Sequence, residues 1–238
     1  MVENSAIKRI QDLIYLLGHE YPAINRHPSL PPVQEFFNET LYKPLHEVIQ
    51  DVMDSLPFIA KQLGKEPPKV TMEFAAIRIK YTAYEMLNSV FAHLLGNCVD
   101  HGIEPAKERQ ALGKKKRGTI VIGAQINERQ LNIKIRDDGR GLNTKMLFQK
   151  GVDLNYWAET GKPQISEIAE LVFVSGLSTR GEVNSISGRG VGMDAVKQIL
   201  LSHGCNINLR VPHTFWQGEE FVPFEAVISL PRSFYVTL

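Results

Sequence analysis

Cysteine is scarce: Cys98 and Cys205 are the only two in 238 residues. They lie far apart and in apolar company. A disulfide framework or a thiolate metal site needs clustered cysteines, so both are excluded, and the two thiols read as reduced core residues. An excess of one charge is also missing. Lys and Arg number 27 against 26 Asp and Glu, a net charge of +1, which argues against a nucleic-acid or other polyanion binder. No apolar run reaches the roughly 18 to 20 residues that cross a bilayer. The first residues, Met-Val-Glu-Asn-Ser, lack the basic start and apolar stretch of a secretion signal, so the expected compartment is the cytoplasm. Internal repeats and low-complexity tracts are lacking, which removes solenoids and disordered tails. The hydrophobic content, 43%, is enough for one good core with a smaller helical appendage.

Proline marks the organisation. His27-Pro28-Ser29-Leu30-Pro31-Pro32 should end one helix and precede another, and Lys65-Glu66-Pro67-Pro68 reads as a boundary. The expected division is a helical segment over 1–68 and a second unit over 69–238. In the first, helices are expected near Ser5–Glu20 and near Val33–Leu63, the latter breaking at Pro44 or Pro57. Such helices need a partner surface, either the following domain or a second copy of the chain. After Pro68 the pattern changes. Val70, Met72 and Phe74 alternate as in a strand, and 81–100 reads as a helix. Thr119–Ile126 and Gln130–Arg136 read as a hairpin, and 139–190 as a long loop-rich stretch. A helix follows near Val191–Ser202, then strands at Asn206–Val211 and Phe224–Leu230. This order predicts an α+β fold: a two-layer α/β sandwich with a mixed, largely antiparallel sheet and helices on one face. Consecutive strands are expected to pair without crossover helices, unlike a doubly wound sheet.

Three constellations stand out. On the 81–100 helix, apolar pairs recur every fourth residue and leave a stripe of His93, Asn97 and Asp100 at i, i+4, i+7, followed by His101. These are poor helix formers where Lys and Glu are usual. An Asn carbonyl suits Mg²⁺, and a His can relay a proton near neutral pH. Second, a buried strand delivers Asp137 into the turn Asp138-Gly139-Arg140-Gly141. A fixed carboxylate there can accept a hydrogen bond from an exocyclic amine, and glycines let backbone pass close to a flat ring. Third, Gly188-Arg189-Gly190-Val191-Gly192-Met193-Asp194 leads into a helix whose N-terminus favours phosphate. Its spacing is neither a Rossmann fingerprint nor a Walker A loop.

Together and in this order, these motifs resemble the ATP-binding domain of histidine protein kinases in the gyrase-like (GHKL, Bergerat-fold, HATPase_c) superfamily, and CheA-type chemotaxis kinases in particular. The resemblance runs over roughly residues 70–232. The segment 93–104 is similar to the family's N box, 137–142 to its G1 box, 173–179 to its F box in the lid over ATP, and 188–194 to its G2 box. Leu63-Gly64-Lys65 also resembles the segment that joins the dimerisation helices to the ATP domain.

The resemblance implies Mg-ATP as cofactor, with Asn97 holding Mg²⁺ and His93 at the phosphotransfer step. Asp137 would bind the adenine amine with Gly139 and Gly141 beside the ring. Asp100 and His101 would shape the pocket. Ser178 and Thr179 would belong to the lid, and Gly188, Arg189, Gly190, Val191, Gly192 and Met193 would line the phosphate side. It implies a two-component kinase that transfers the γ-phosphate to a histidine on another domain or protein, with a response regulator downstream and room for a homodimer through the N-terminal helices.

Three departures bear on turnover more than on nucleotide binding and leave an alternative, a nucleotide-binding regulatory module deficient in phosphotransfer. Gly96 stands where the family has arginine, the family's Gly-x-Gly-Thr turn is replaced by 213–218, and 151–164 is unusual. The chain is expected to be part of a larger protein, with neither a phosphoacceptor domain before residue 1 nor a receptor-coupling domain after Leu238. Lys114-Lys115-Lys116-Arg117 reads as a solvated turn. Trp157, Phe215 and Trp216 read as local packing, and His46 as structural.

Overall fold

The computed structural model describes residues 2–24, 27–127, 130–176, 192–212 and 215–237. The chain opens with helices α1 (Val2–Glu20) and α2 (Leu30–Leu41), then strand β1 (Tyr42–Pro44) and helices α3 (Leu45–Met53) and α4 (Leu56–Gln62). Strands β2 (Lys69–Glu73) and β3 (Ile77–Lys80) lead to helices α5 (Tyr84–Asn97) and α6 (Ala106–Ala111). Strands β4 (Thr119–Asn127), β5 (Gln130–Asp137) and β6 (Leu142–Asn143) come next, followed by helices α7 (Thr144–Asp153), α8 (Ile165–Glu170) and α9 (Met193–Ser202). Strands β7 (Asn206–Arg210), β8 (Phe221–Val222), β9 (Glu225–Pro231) and β10 (Tyr235–Thr237) close the chain.

The main sheet has the order β2-β4-β5-β9-β7. Three of its pairings are antiparallel and β2–β4 is parallel. The mixed, largely antiparallel sheet expected from the sequence is therefore present, with one difference. A parallel pair cannot be closed by a hairpin, so β2 reaches β4 through a crossover that contains α5 and α6. Alternation puts Leu131, Ile133 and Ile135 of β5 on the inner face beside Ile120 and Ile122 of β4 and Ile228 and Leu230 of β9. Lys134 and Arg136 point the other way and keep contact with water. The helices cover the inner face: α5 buries Met86, Leu87, Val90, Phe91, Leu94 and Leu95, and α9 buries Val196 and Leu200.

Helix α3 buries Leu45, Val48, Ile49 and Val52, spaced i, i+3, i+4, i+7, into this same core. Each such side chain contributes roughly 1.5 to 3 kcal/mol, so α3 is firmly seated although it precedes Pro67-Pro68. A three-stranded sheet, β1-β3-β10, ties this segment to the chain's last strand. The long helix expected near Val33–Leu63 is thus three pieces. It breaks at Pro44, inside β1, and again at Asp54–Ser55. Pro57 sits in the first turn of α4, where its missing N–H has no intrahelical partner to lose. Helix α1 leaves Leu13, Leu16 and Leu17 exposed. Among the described residues no helix is long and apolar enough to cross a membrane.

The stretch after Gly139 is less irregular than its sequence suggests. Leu147 and Phe148 of α7 meet Ile168 of α8 and Leu171 in a second apolar cluster, joined by Trp157 and Trp216. The Phe148 and Trp216 rings stack at 4.1 Å. Asn143 caps α7 by accepting from the Met146 N–H at 2.9 Å, and a Gln164–Glu167 capping box starts α8. Trp157 and Trp216 are packing residues, as expected; Phe215 is 61% exposed.

Candidate nucleotide-binding site

The α-helical pattern of α5 widens after Asn97 into a π-helical turn, Cys98–Gly102. Such turns leave carbonyls unpaired. Lys65 answers them: its Nζ donates to the carbonyls of Val99, Asp100 and Ile103 at 2.8, 2.6 and 2.7 Å. Helix α5 therefore carries His93 and Asn97, and the wide turn carries Asp100 and His101. Asp100 is 25% exposed and lies 3.4 Å from Nε2 of the half-exposed His101.

Strand β5 ends at Asp137, directly beside this turn. Its Oδ1 accepts from the Gly139 N–H at 2.9 Å. Burial raises the Asp137 pKa above the ordinary carboxylate range, opposed by the Gly139 N–H and the Cys98 thiol and reinforced by the charges of Asp138 and Glu104. Burial, and then the Asp137 charge, push the Cys98 thiol well up, so it stays protonated and donates to the carboxylate. The two backbones touch. A Cβ on Gly139 would lie 2.1 Å from the Gly102 carbonyl oxygen, and one on Gly102 would lie 2.8 Å from both Asp137 oxygens. The Arg140 N–H donates to that Gly102 carbonyl at 2.9 Å. Gly141 has φ +88°, and a Cβ there would meet the Val222 carbonyl at 2.4 Å.

Helix α9 closes the third side. The Asn97 amide donates from Nδ2 to Met193 Sδ at 3.5 Å, at the start of α9 just after Gly192. Asp194 also faces α5. Burial lowers the His93 pKa, the Asp194 charge raises it in part, and His101 lowers it further. The net shift is downward, so His93 is neutral at pH 7. The fold thus carries His93, Asn97, Asp100 and His101 on α5 and its wide turn, packs that turn at Gly102 against Asp137 and Gly139, and places Met193 against Asn97. Ser178, Thr179, Gly188, Arg189, Gly190 and Val191 lie outside the described residues.

The arrangement fits a flat ring bearing an exocyclic amine. It offers a half-buried acceptor on Asp137 and backbone with no room for a side chain beside it. For a metal, Asn97 supplies one neutral amide, and no cage of His, Cys, Asp or Glu stands near it among the described residues. That donor set suits Mg²⁺ when phosphates and waters complete the octahedron.

Several residues escaped the sequence reading. Arg109 is 1% exposed and pairs with Glu104, also 1% exposed, and with Asp138, each at 2.9 Å. Lys114 is no solvated turn residue: it pairs with Glu104 at 2.7 Å and donates to the carbonyls of Asp138 and Gly139. Arg117 donates to the Pro67 and Pro68 carbonyls, and Lys116 pairs with Glu66. Glu104 and Arg109 are five residues apart with Pro105 between them, a spacing that the i, i+3 and i, i+4 rule of a helix face does not pick out.

Residues 83–230 match the family described as "Histidine kinase-, DNA gyrase B-, and HSP90-like ATPase". The chain is 33% identical over 167 residues to the chemotaxis protein CheA of Rhizobium meliloti, covering 70% of this chain and 22% of that protein. It is 32% identical to CheA of Bacillus subtilis, over 68% of this chain and 25% of that one. It is also 32% identical to a gliding motility regulatory protein of Myxococcus xanthus, over 79% of this chain and 26% of that one. The chain thus spans about a quarter of the length of these relatives.

Proposed function

Because the chain belongs to the histidine kinase-, DNA gyrase B- and HSP90-like ATPase family, we propose that it is the ATP-binding catalytic region of a CheA-like histidine kinase. Bound Mg-ATP would supply the phosphoryl group, destined for a histidine on another domain or protein and then for a response regulator. The observation that carries this reading is the half-buried Asp137 carboxylate, set against the Gly102–Gly139 contact at the end of the helix that bears His93 and Asn97. Asp137 would accept from the adenine amine, Gly141 would lie beside the ring, and Asn97 would hold Mg²⁺ through its carbonyl oxygen. Neutral His93 can accept or hold a proton near the transferred group. Phosphoryl transfer depends mainly on positioning and charge neutralisation, so an acceptor must be presented in line. His93 and His101 belong to the site itself, and His46 sits on α3 without an acceptor motif. The exposed apolar residues of α1 favour a second copy as its partner, and the proposed compartment is the cytoplasm.

The test is calorimetric titration with Mg-ATP, followed by incubation with γ-labelled ATP, alone and with a cognate histidine domain. The expected result is binding, no stable label on the chain alone, and label on the added domain. Absence of ATP binding would refute the reading. Binding without any transfer would replace it by the phosphotransfer-deficient regulatory module that Gly96 already suggests.

A further inference from the structure

We infer that Arg109 is a positioning residue for base recognition: from the far side of the Asp138 turn it fixes where the Asp137 carboxylate stands, and so sets the preference for a 6-amino purine. This rests on the nucleotide reading proposed above.

The geometry is specific. The guanidinium is fully buried and uses each of its faces. Nη1 donates to Glu104 Oε2 at 2.9 Å and to the Asp138 carbonyl at 3.3 Å, Nη2 to Asp138 Oδ2 at 2.9 Å, and Nε to the Lys115 carbonyl at 2.8 Å. Asp138 is held at its other oxygen by the Thr119 N–H at 2.9 Å. Glu104 lies two residues beyond Gly102, whose carbonyl forms the floor under Gly139. Arg109 therefore joins the strand end carrying Asp137 to the turn against which Asp137 rests. Lys114 adds a second bridge across the same gap.

Buried ion pairs are poor sources of net stability, because desolvation offsets most of their attraction. A planar guanidinium whose donors are fixed in one plane, giving one N–H to each of two carboxylates, is instead suited to fixing the relative placement of two segments. The placement that matters is that of Asp137. Its Oδ1 is already committed to the Gly139 N–H, so a turn that slides relative to Gly102 moves the remaining acceptor away from the base. A 6-amino group would lose its hydrogen bond, whereas a 6-oxo group gains nothing from the carboxylate and loses nothing.

The experiment compares ATP and inosine triphosphate binding to the full chain and to Arg109→Met, Arg109→Lys and the double variant Glu104→Gln/Arg109→Met, which leaves no buried carboxylate short of its guanidinium. Melting temperature and exchange of the Gly139 amide without nucleotide are read alongside. The expected result is an ATP affinity about tenfold weaker in Arg109→Met and in the double variant, with inosine triphosphate affinity unchanged. Arg109→Lys should recover part of the discrimination, and the Gly139 amide should exchange faster in the Met variants. Equal losses for both nucleotides, or no change in their ratio, would overturn the inference. If neither Met variant folds, Asp138→Asn carries the same test, because Asp138 is 45% exposed on its water side. Failure of the unsubstituted chain to prefer ATP would refute the nucleotide reading instead, so the two failures are distinguishable.

Discussion

Replacing Asp137 by asparagine should separate nucleotide recognition from stability. In the native chain Oδ1 accepts from the Gly139 N–H at 2.9 Å, and Cys98 donates its thiol to the same carboxylate. The carboxylate has acceptors only, so it can serve two protein donors and still receive the adenine amine. An amide of the same shape has one oxygen and one NH₂. With its oxygen toward Gly139, the NH₂ opposes the adenine amine; turned round, it opposes the Gly139 N–H. One donor must face another in either pose. The lost bond is charge-assisted, worth about 1.5 to 3 kcal/mol, so ATP affinity should fall about tenfold to a hundredfold.

Stability should move the other way. Burial raises the Asp137 pKa, which means that the free protein already holds this charge at a cost. Removing the charge should leave the urea midpoint unchanged or raise it. The sign of this term follows: a carboxylate with a raised folded-state pKa contributes stability below its unfolded pKa, and that contribution is lost as pH rises through the folded value. Asp137→Asn should therefore gain most over the unsubstituted chain at neutral pH. The variant should also bind inosine triphosphate better than ATP, since its NH₂ can donate to a 6-oxo group. Calorimetric titration with both nucleotides, beside urea unfolding at pH 7, decides the matter. Unchanged ATP affinity, or a loss of affinity that tracks a loss of stability, would refute the reasoning.

Asn97→Ala should weaken Mg-ATP binding more than metal-free ATP binding, measured by titration with and without Mg²⁺; equal losses would make Asn97 structural. Gly139→Ala should destabilise the chain by about 1 to 3 kcal/mol and abolish nucleotide binding, because its Cβ would stand 2.1 Å from the Gly102 carbonyl oxygen; a native melting temperature would contradict the contact. His93, held below the ordinary histidine range chiefly by burial, contributes stability that is present above about pH 6.5 and lost as pH falls. Urea unfolding at pH 7.5 and 5.5 should show a pH-dependent loss that is smaller in His93→Gln, and an identical loss in both would remove His93 as its source.

Where local pattern and tertiary structure agree, the sequence is informative. The α5 stripe was legible because His93, Asn97 and Asp100 are spaced for one helical face, and the widening into a π-turn keeps Asp100 beside the site. The β4–β5 hairpin was legible from its alternation and short link, and β7 and β9 from the same signal. Strand β1 was not, because three residues carry no periodicity and Tyr42–Pro44 is a strand only by pairing with β3. Helices α7 and α8 were hidden for a related reason: their apolar residues come in short bursts, completed by Trp216 from far along the chain. Arg109 was missed because a lone arginine in a charged helix reads as surface. Its burial follows from where Glu104 and Asp138 arrive, which no local pattern reports.

That buried arginine bears on how Asp137 can work at all. Three carboxylates, Glu104, Asp137 and Asp138, converge behind the turn, and the first and last both raise the Asp137 pKa, on top of the larger effect of burial. Left uncompensated, they would favour a protonated Asp137, and a protonated carboxyl could no longer accept twice. Arg109 pairs with Glu104 and Asp138 together, and Lys114 with Glu104. Burial pushes the Glu104 carboxyl up, but Lys114, the backbone and Arg109 bring it below the ordinary range, so it keeps its charge inside the pair. The cations thus hold the turn in place and keep Glu104 and Asp138 paired directly behind Asp137. ATP affinity should be retained above the Asp137 pKa and lost as pH falls through it. In Arg109→Met that loss should begin at a higher pH than in the unsubstituted chain. Titration of ATP affinity from pH 8 to pH 5 reads this directly, and coincident profiles would mean that Arg109 acts on the geometry of the turn and not on the charge of Asp137.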